Sequence, residues 1–167
     1  LMLDPYNTAF RLINGFSEGI PSLVVDIFGK TVVCHDYQDP MQEDVPPLED
    51  FIIPTIRETL PWLVSGIVKK RRSPNAEERH GRIVFGSKVD HKIKENGVWY
   101  AIDLTMNRDA SFYIDTRELR HWVKKNLSEK SVLNTFSYTG SLGIAALVGG
   151  ASQVTQLDLS RKFLTVA

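Results

Sequence analysis

The sequence predicts an α/β chain in two parts: a small α+β domain over residues 1–112, then the first half of a doubly wound parallel sheet over 113–167. Two observations carry this expectation. Residues 131–158 read as one complete strand, turn, helix, strand unit, and residues 6–37 alternate apolar and polar character between glycine and proline turns.

In chain order, Ala9, Phe10, Leu12 and Ile13, then Leu23, Val24 and Val25, then Thr31, Val32, Val33 and Cys34 mark three short strands. Gly15, Gly19, Pro21 and Gly29 punctuate them, and a small antiparallel meander is the natural product. Asn14 and Asp26 read as turn and strand-end polar residues, and Cys34 as a small core residue. Residues 38–48 read as a loop. From Leu48 to Leu60, Phe51, Ile52, Ile56 and Leu60 recur at helical spacing, with Pro54 in the first turns where it is best tolerated.

The run SGIVKK reads as another strand, leading into Lys69, Lys70, Arg71 and Arg72 and a polar, mobile loop to about Gly81. Two readings of the four cations stand side by side. They are RNA-contact candidates that would neutralise backbone phosphates, or a solvated tip offset by Glu77 and Glu78. Arg82 to Phe85 and Val98 to Leu104 read as strands around the Asn96-Gly97 turn, a strong hairpin signal. A helix follows, with Asp115 as N-cap, Glu118 at the capping-box position and Leu119, Trp122, Val123 and Leu127 as its buried stripe.

The last unit carries the chemistry. Ser131 to Phe136 suits a buried parallel strand, Ser141 to Val148 a buried helix ended by Gly149 and Gly150, and Gln153 to Leu157 a second strand. A helix between parallel strands implies a right-handed crossover. The turn Ser137-Tyr138-Thr139-Gly140-Ser141 therefore sits where a strand's carboxyl end meets a helix amino end, with free backbone N–H groups. Asp158 ends the second strand about 20 residues on, the spacing of a carboxylate that accepts from ribose hydroxyls. Read as a dinucleotide fingerprint, the glycine positions hold Tyr138, Gly140 and Gly143; a ring replaces the tight-turn glycine and disfavours a pyrophosphate. S-adenosylmethionine, a nucleoside ligand without phosphates, fits this pattern better.

Composition sets outer bounds. The 43% hydrophobic content is ordinary for a globular chain, and 20 basic residues balance 20 acidic ones, so any RNA contact must come from a local patch. One cysteine excludes an internal disulfide or a cysteine-cluster metal site. Without a bilayer-length apolar run or a basic, apolar leader, the expectation is a cytoplasmic protein with no membrane contact. The four histidines lack metal-ligand spacing, and neither a Gly-x-Ser-x-Gly elbow nor a phosphate-binding Gly-Lys-Ser/Thr loop is present.

Three blocks carry a resemblance to a known family. VLNTFSYTGSLGIAALVGGASQVTQLDLS resembles the LDLFSYTGGF…A..GGA..V..VDLS cofactor segment of the large-subunit ribosomal RNA methyltransferases. ENGVWYAIDL followed by DASFYIDTRELR is similar to that family's ENGxxFxVDL and xTGFFLDQRxNR segment, and RLINGFSEGIPSLVVDIFG to its YRLINGExDGLPGLVVDxYG opening. Asn134 stands where the family often has an acid and Ser141 where it often has glycine, and both hydrogen-bond.

The resemblance implies a Rossmann-like class I methyltransferase sheet and S-adenosylmethionine as cofactor. It implies cofactor contacts from Asn134, Phe136, Ser137, Tyr138, Thr139, Gly140, Asp158 and Ser160, with Asp115 and Arg117 facing the same crevice. It also implies methylation of an RNA base, of 23S ribosomal RNA in this family, and rRNA processing as its setting. The family's Asp-Pro-Pro type motif and its nucleophilic cysteine have no counterpart before Ala167, so no catalytic residue is assigned and the chain by itself is expected to be inactive, with the possibility of self-association through its incomplete sheet. A non-catalytic RNA-binding or interaction module, and a small nucleoside-binding α/β protein, are the alternatives from other classes.

Overall fold

The computed structural model describes residues 4, 6–41, 46, 47 and 49–167. Leu48, expected at the head of the first helix, and residues 42–45 of the loop before it lie outside the described residues. Strands β1 (Ala9–Ile13), β2 (Leu23–Phe28) and β3 (Thr31–Asp36) form the expected antiparallel meander, with Leu23 opposite Asp36 and Phe28 opposite Thr31. Helix α1 (Glu49–Thr59) carries the chain back to β4 (Ser65–Lys70), which runs parallel to β3. β5 (Arg82–Phe85) pairs antiparallel with β4 and closes a five-stranded sheet in sequence order.

Strand alternation gives this sheet two apolar faces. Val25, Ile27, Val32, Cys34 and Val68 pack against Ile53, Ile56 and Leu60 of the α1 side. Phe28, Val33 and Ile67 point the other way, under Ile93, Val98, Tyr100, Ile102 and Phe112. Those covering residues come largely from a hairpin of β6 (Lys92–Glu95) and β7 (Val98–Ala101).

Three expectations are corrected here. The Asn96-Gly97 turn joins β6 to β7, not Arg82–Phe85 to Val98–Leu104; Arg82–Phe85 is spent on the edge of the large sheet, and β7 stops at Ala101. The stretch read as a mobile loop to Gly81 contains α2 (Ala76–His80), whose first turn is capped by the Asn75 side chain accepting from Glu77 N–H. The helix expected from Asp115 begins as a single 3₁₀ turn over Ile114–Thr116 and becomes α3 (Arg117–Asn126) with no side-chain cap.

The buried stripe of α3 is also rotated. Leu119 and Trp122 are 48% and 54% exposed, whereas Arg120 and Val123 are buried. The cause is Glu95, an inward-facing residue of β6 whose buried carboxylate demands a guanidinium. Arg120 Nε donates to Glu95 Oε1 at 2.7 Å and Nη2 to Oε2 at 2.9 Å, and satisfying that charge fixes the helix's rotation.

The order of elements in the final unit is the expected one, but its first strand and its helix are not buried as expected: Leu133 is 64% exposed and Leu147 and Val148 are 53% and 55% exposed, because among the described residues the sheet here has two strands and no further element covers it. β8 (Ser131–Thr135) and β9 (Gln153–Leu157) pair in parallel, joined by α4 (Ser141–Val148), and α5 (Arg161–Leu164) follows. Val123, Ala145 and Ala146 form its core with Val132 and Val154. α3 and the end of α4 approach closely: a Cβ at Gly149 would sit 2.1 Å from the Lys124 carbonyl oxygen, which only glycine avoids.

Candidate cofactor crevice

The turn from β8 into α4 is held in an uncommon backbone shape. Phe136, Tyr138 and Gly140 have φ of 54°, 52° and 75°, so every second residue is left-handed, two of them aromatic. A bulky residue there is an outlier that persists only when surrounding contacts over-determine it. Those contacts are present. Ser137 N–H donates to the Leu157 carbonyl at 2.9 Å, and Thr139 Oγ1 to the Ser111 carbonyl at 2.5 Å. The Tyr138 ring lies 5.1 Å from that of Tyr113 and meets Phe163 edge-on at 4.6 Å. Its hydroxyl exchanges hydrogen bonds with the Asn107 amide, and burial pushes its pKa up to about 12, so it stays a neutral donor.

Asp158 ties the two strand ends together. Its Oδ2 accepts from Tyr138 N–H and its Oδ1 from Ser160 N–H, both at 2.8 Å. An ionised carboxylate offers about four lone-pair sites, so two backbone bonds leave acceptor capacity toward the crevice. Behind the turn, Asn134 Nδ2 donates to Gln156 Oε1 at 2.7 Å, and Gln156 Nε2 donates to the Gly140 carbonyl at 3.0 Å. This bridge explains the small residues: a Cβ on Gly143 would stand 2.2 Å from Gln156 Nε2, and one on Gly140 would stand 2.7 Å away.

Ser137 Oγ is buried with no hydrogen-bond partner, an orphan polar atom at the centre of the turn. Together with the spare acceptor capacity of Asp158, it makes a polar set suited to a nucleoside with hydroxyl and amino groups. The family model described as S-adenosylmethionine-dependent methyltransferase matches residues 68–166, a span that includes this whole crevice. The chain belongs to that family.

Relatives agree with the assignment. The chain is 33% identical over 165 residues to the "Ribosomal RNA large subunit methyltransferase I" of Aeromonas salmonicida, covering 96% of this chain and 40% of that protein. It therefore spans about 40% of the length of such relatives. Among solved structures, a putative SAM-dependent methyltransferase from Streptococcus mutans superposes with a TM-score of 0.80 at 25% identity, over 98% of this chain and 42% of that one. A putative methyltransferase complexed with SAH gives 0.82 at 25% identity, over 98% and 41%. The fold is thus that of the Rossmann-like S-adenosylmethionine-dependent methyltransferases, and S-adenosylmethionine is their cofactor.

The structure brings Ser137, Tyr138, Thr139, Gly140, Asp158 and Ser160 to one place, and Phe136 stands 88% exposed beside them. Asn134 is nearly buried and turned to Gln156. Asp115 is exposed and lines a neighbouring cavity. Arg117 is spent elsewhere: Nε donates to Glu95 at 3.2 Å and Nη2 to the Ala9 carbonyl, because the buried Glu95 draws both arginines of α3.

The run Lys69–Arg72 does not form one cationic surface, which corrects its reading as a group. Lys69 shares the inward parity of Ile67 and is 0% exposed, its Nζ donating to the carbonyls of His80, Asn107 and Asp109. Arg71 pairs with Asp109 at 3.1 Å and donates to the Arg108 carbonyl. Arg72 is exposed and Lys70 half-buried.

Sequence reasoning missed the loop that carries Asn107, Asp109 and Ser111, although Ser111 has a left-handed φ of 56° and each residue touches the turn or its neighbours. It also missed a cavity of about 350 Å³ whose lining includes Arg11, Asp26, His35, Tyr37, Arg71 and Tyr113. Tyr113 belongs to both places, since its ring stacks on Tyr138. In the cavity wall, burial would raise the pKa of Asp26, but hydrogen bonds from His35 and Arg11 outweigh it and hold the carboxyl below its usual value. Burial lowers the pKa of His35, leaving a neutral imidazole beside that carboxylate.

Proposed function

We propose that this chain forms the substrate-side domain, residues 1–112, and the first half of the cofactor domain, residues 113–167, of a methyltransferase acting on RNA. A base of large-subunit ribosomal RNA is the substrate class, in a cytoplasmic setting. The observation that carries the cofactor half is the Asp158 carboxylate spanning the turn and the end of β9. The RNA half is supported by relatives that are ribosomal RNA large subunit methyltransferases by name.

S-adenosylmethionine, when bound, supplies an electrophilic methyl group. This chain's part is to bind and orient. Asp158 accepts from ribose hydroxyls, Ser137 Oγ offers the unpartnered donor and acceptor of the turn, and Phe136 covers an apolar face of the ligand. The cavity beside Tyr113 lies on the substrate side. Its neutral His35, aromatic Tyr37 and Tyr113 and charged Arg11 and Arg71 suit an ordered polar group better than bulk solvent.

Calorimetry with S-adenosylhomocysteine tests the cofactor half. Asp158→Asn keeps one acceptor and should weaken binding about 10- to 100-fold, the range of one lost charge-assisted bond. An unchanged affinity with an intact fold would remove Asp158 from the site.

A further inference from the structure

We propose that the outward face of the β6–β7 hairpin, with Tyr6 beside it, is a stacking platform for single-stranded RNA. It rests on the RNA reading above and supplies a contact surface that the Lys69–Arg72 run does not.

Register places the parts. Lys94 lies directly opposite Trp99, and Lys92 lies two residues before Lys94, so all three side chains share one face of the two-stranded ribbon. The other face is the core: Ile93 and Glu95 are 0% exposed, and Val98 and Tyr100 are also buried. The outward face is open, with Trp99 53% and Tyr6 63% exposed. Lys92 Nζ stands 4.8 Å from the Trp99 ring centroid, and Lys94 Nζ lies between the two rings, 5.5 Å from Trp99 and 5.4 Å from Tyr6.

Hydrogen bonds fix the neighbouring segment to this ribbon. Thr8 N–H donates to the Lys94 carbonyl and Lys94 N–H to Thr8 Oγ1, both at 2.8 Å, while Asn96 N–H donates to Asn7 Oδ1 at 3.1 Å. Tyr6 is thereby tied to the ribbon by the residues that follow it. Asp4, the acid beside it, is occupied by Tyr6 N–H and the Asn7 amide.

Alternating aromatic faces and ammonium groups are what a sequence-tolerant single-strand site requires: rings for bases, cations for phosphates. In the free protein each ammonium rests over a ring. An arriving strand offers phosphate to the ammonium and a base to the ring face, so both exposed aromatic surfaces become covered. With 20 basic and 20 acidic residues the chain has no net field to attract RNA, and this local patch provides one.

The test titrates the full chain into a fluorescein-labelled single-stranded RNA of about 12 nucleotides, a length within the usual site size. Anisotropy is followed at several salt concentrations, with tryptophan fluorescence in parallel. Trp99→Ala should weaken binding roughly tenfold, and Trp99→Phe should restore it, because any aromatic face stacks. Replacing Lys92 and Lys94 together by Gln should reduce the slope of log affinity against log salt by about 1.4, for two phosphates on a single strand. Equal affinity of the Trp99→Ala variant, an unchanged salt slope, or a duplex RNA that competes as well as the single strand would each overturn the platform. Cofactor binding is read separately through Asp158, so failure of the platform leaves that reading standing.

Discussion

Arg120 and Glu95 form a buried bidentate ion pair, each side chain 1% exposed, that locks α3 to the β6–β7 hairpin. The guanidinium also lies 4.0 Å over the Phe112 ring, so charge and apolar packing meet at one joint.

Breaking such a pair on one side leaves a buried charge, which costs about 3–5 kcal/mol. Arg120→Leu should approach the lower figure, because Arg117 still reaches Glu95. Replacing both Arg120 and Glu95 by Leu should recover part of the loss. Urea unfolding of the single and double variants checks this; additive losses would show the pair to be uncoupled.

Lys69 is the second buried joint. Its ammonium gathers three carbonyls, from His80, Asn107 and Asp109, and so holds the loop whose Asn107 touches Tyr138. Lys69→Met fills the volume but strands those carbonyls, at a cost of about 2–3 kcal/mol. It should also weaken S-adenosylhomocysteine binding by loosening Tyr138. Calorimetry beside thermal unfolding separates the two effects, and an unchanged melting temperature would contradict the joint.

These two joints were the parts hardest to read in the sequence. The β8–α4–β9 unit was readable because its pattern is local: an apolar run, a glycine turn, an apolar helix, and Asp158 at a set distance. Lys69 lay in a basic run, and its inward parity with Ile67 was the available signal, outweighed by its neighbours. Glu95 and Lys92 made Lys92–Glu95 read as polar, so β6 was missed although Asn96-Gly97 pointed to it. The rotation of α3 follows from a charge pair 25 residues apart in sequence, which helical periodicity alone does not encode.

Alkaline pH should destabilise the fold in a defined order. Burial raises Cys34 from 9.0 to about 12 and Tyr100 and Tyr138 from 10.0 to about 12. For each, the unfolded chain releases its proton first, so stability present below the unfolded pKa is lost as pH rises toward 12. Lys69 has the opposite sign: burial and Arg71 lower it from 10.5 to about 8, so the unfolded chain binds more protons between those values and stability rises there. The balance is a shallow gain from pH 8 to 9, near cancellation from 9 to 10, and a steep loss above 10.5. Cys34→Ala should remove up to about 1.4 kcal/mol per pH unit from the loss. Urea midpoints across this range check it; a curve whose decline begins below pH 9 would contradict the assignment.

The free edge of β8 sets the final expectation, which concerns self-association. Among the described residues β8 pairs only with β9, so its other edge presents unpaired N–H and C=O groups. Apolar side chains on β8 and just after it are open: Leu133 is 64% and Phe136 88% exposed. An open edge with apolar neighbours is a template for another strand, and no lysine or proline within Ser131–Thr135 blunts it. Two copies meeting there would satisfy both ladders and bring the two Leu133 side chains together. We therefore expect concentration-dependent association, reduced by Leu133→Lys, which places a charge beside the edge. Light scattering reads the mass and amide hydrogen exchange reads the edge, where residues 132–136 should gain protection as the chain concentrates. A monomer at every concentration, with those amides already as slow as the β2 and β3 amides, would show that β8 needs no second copy.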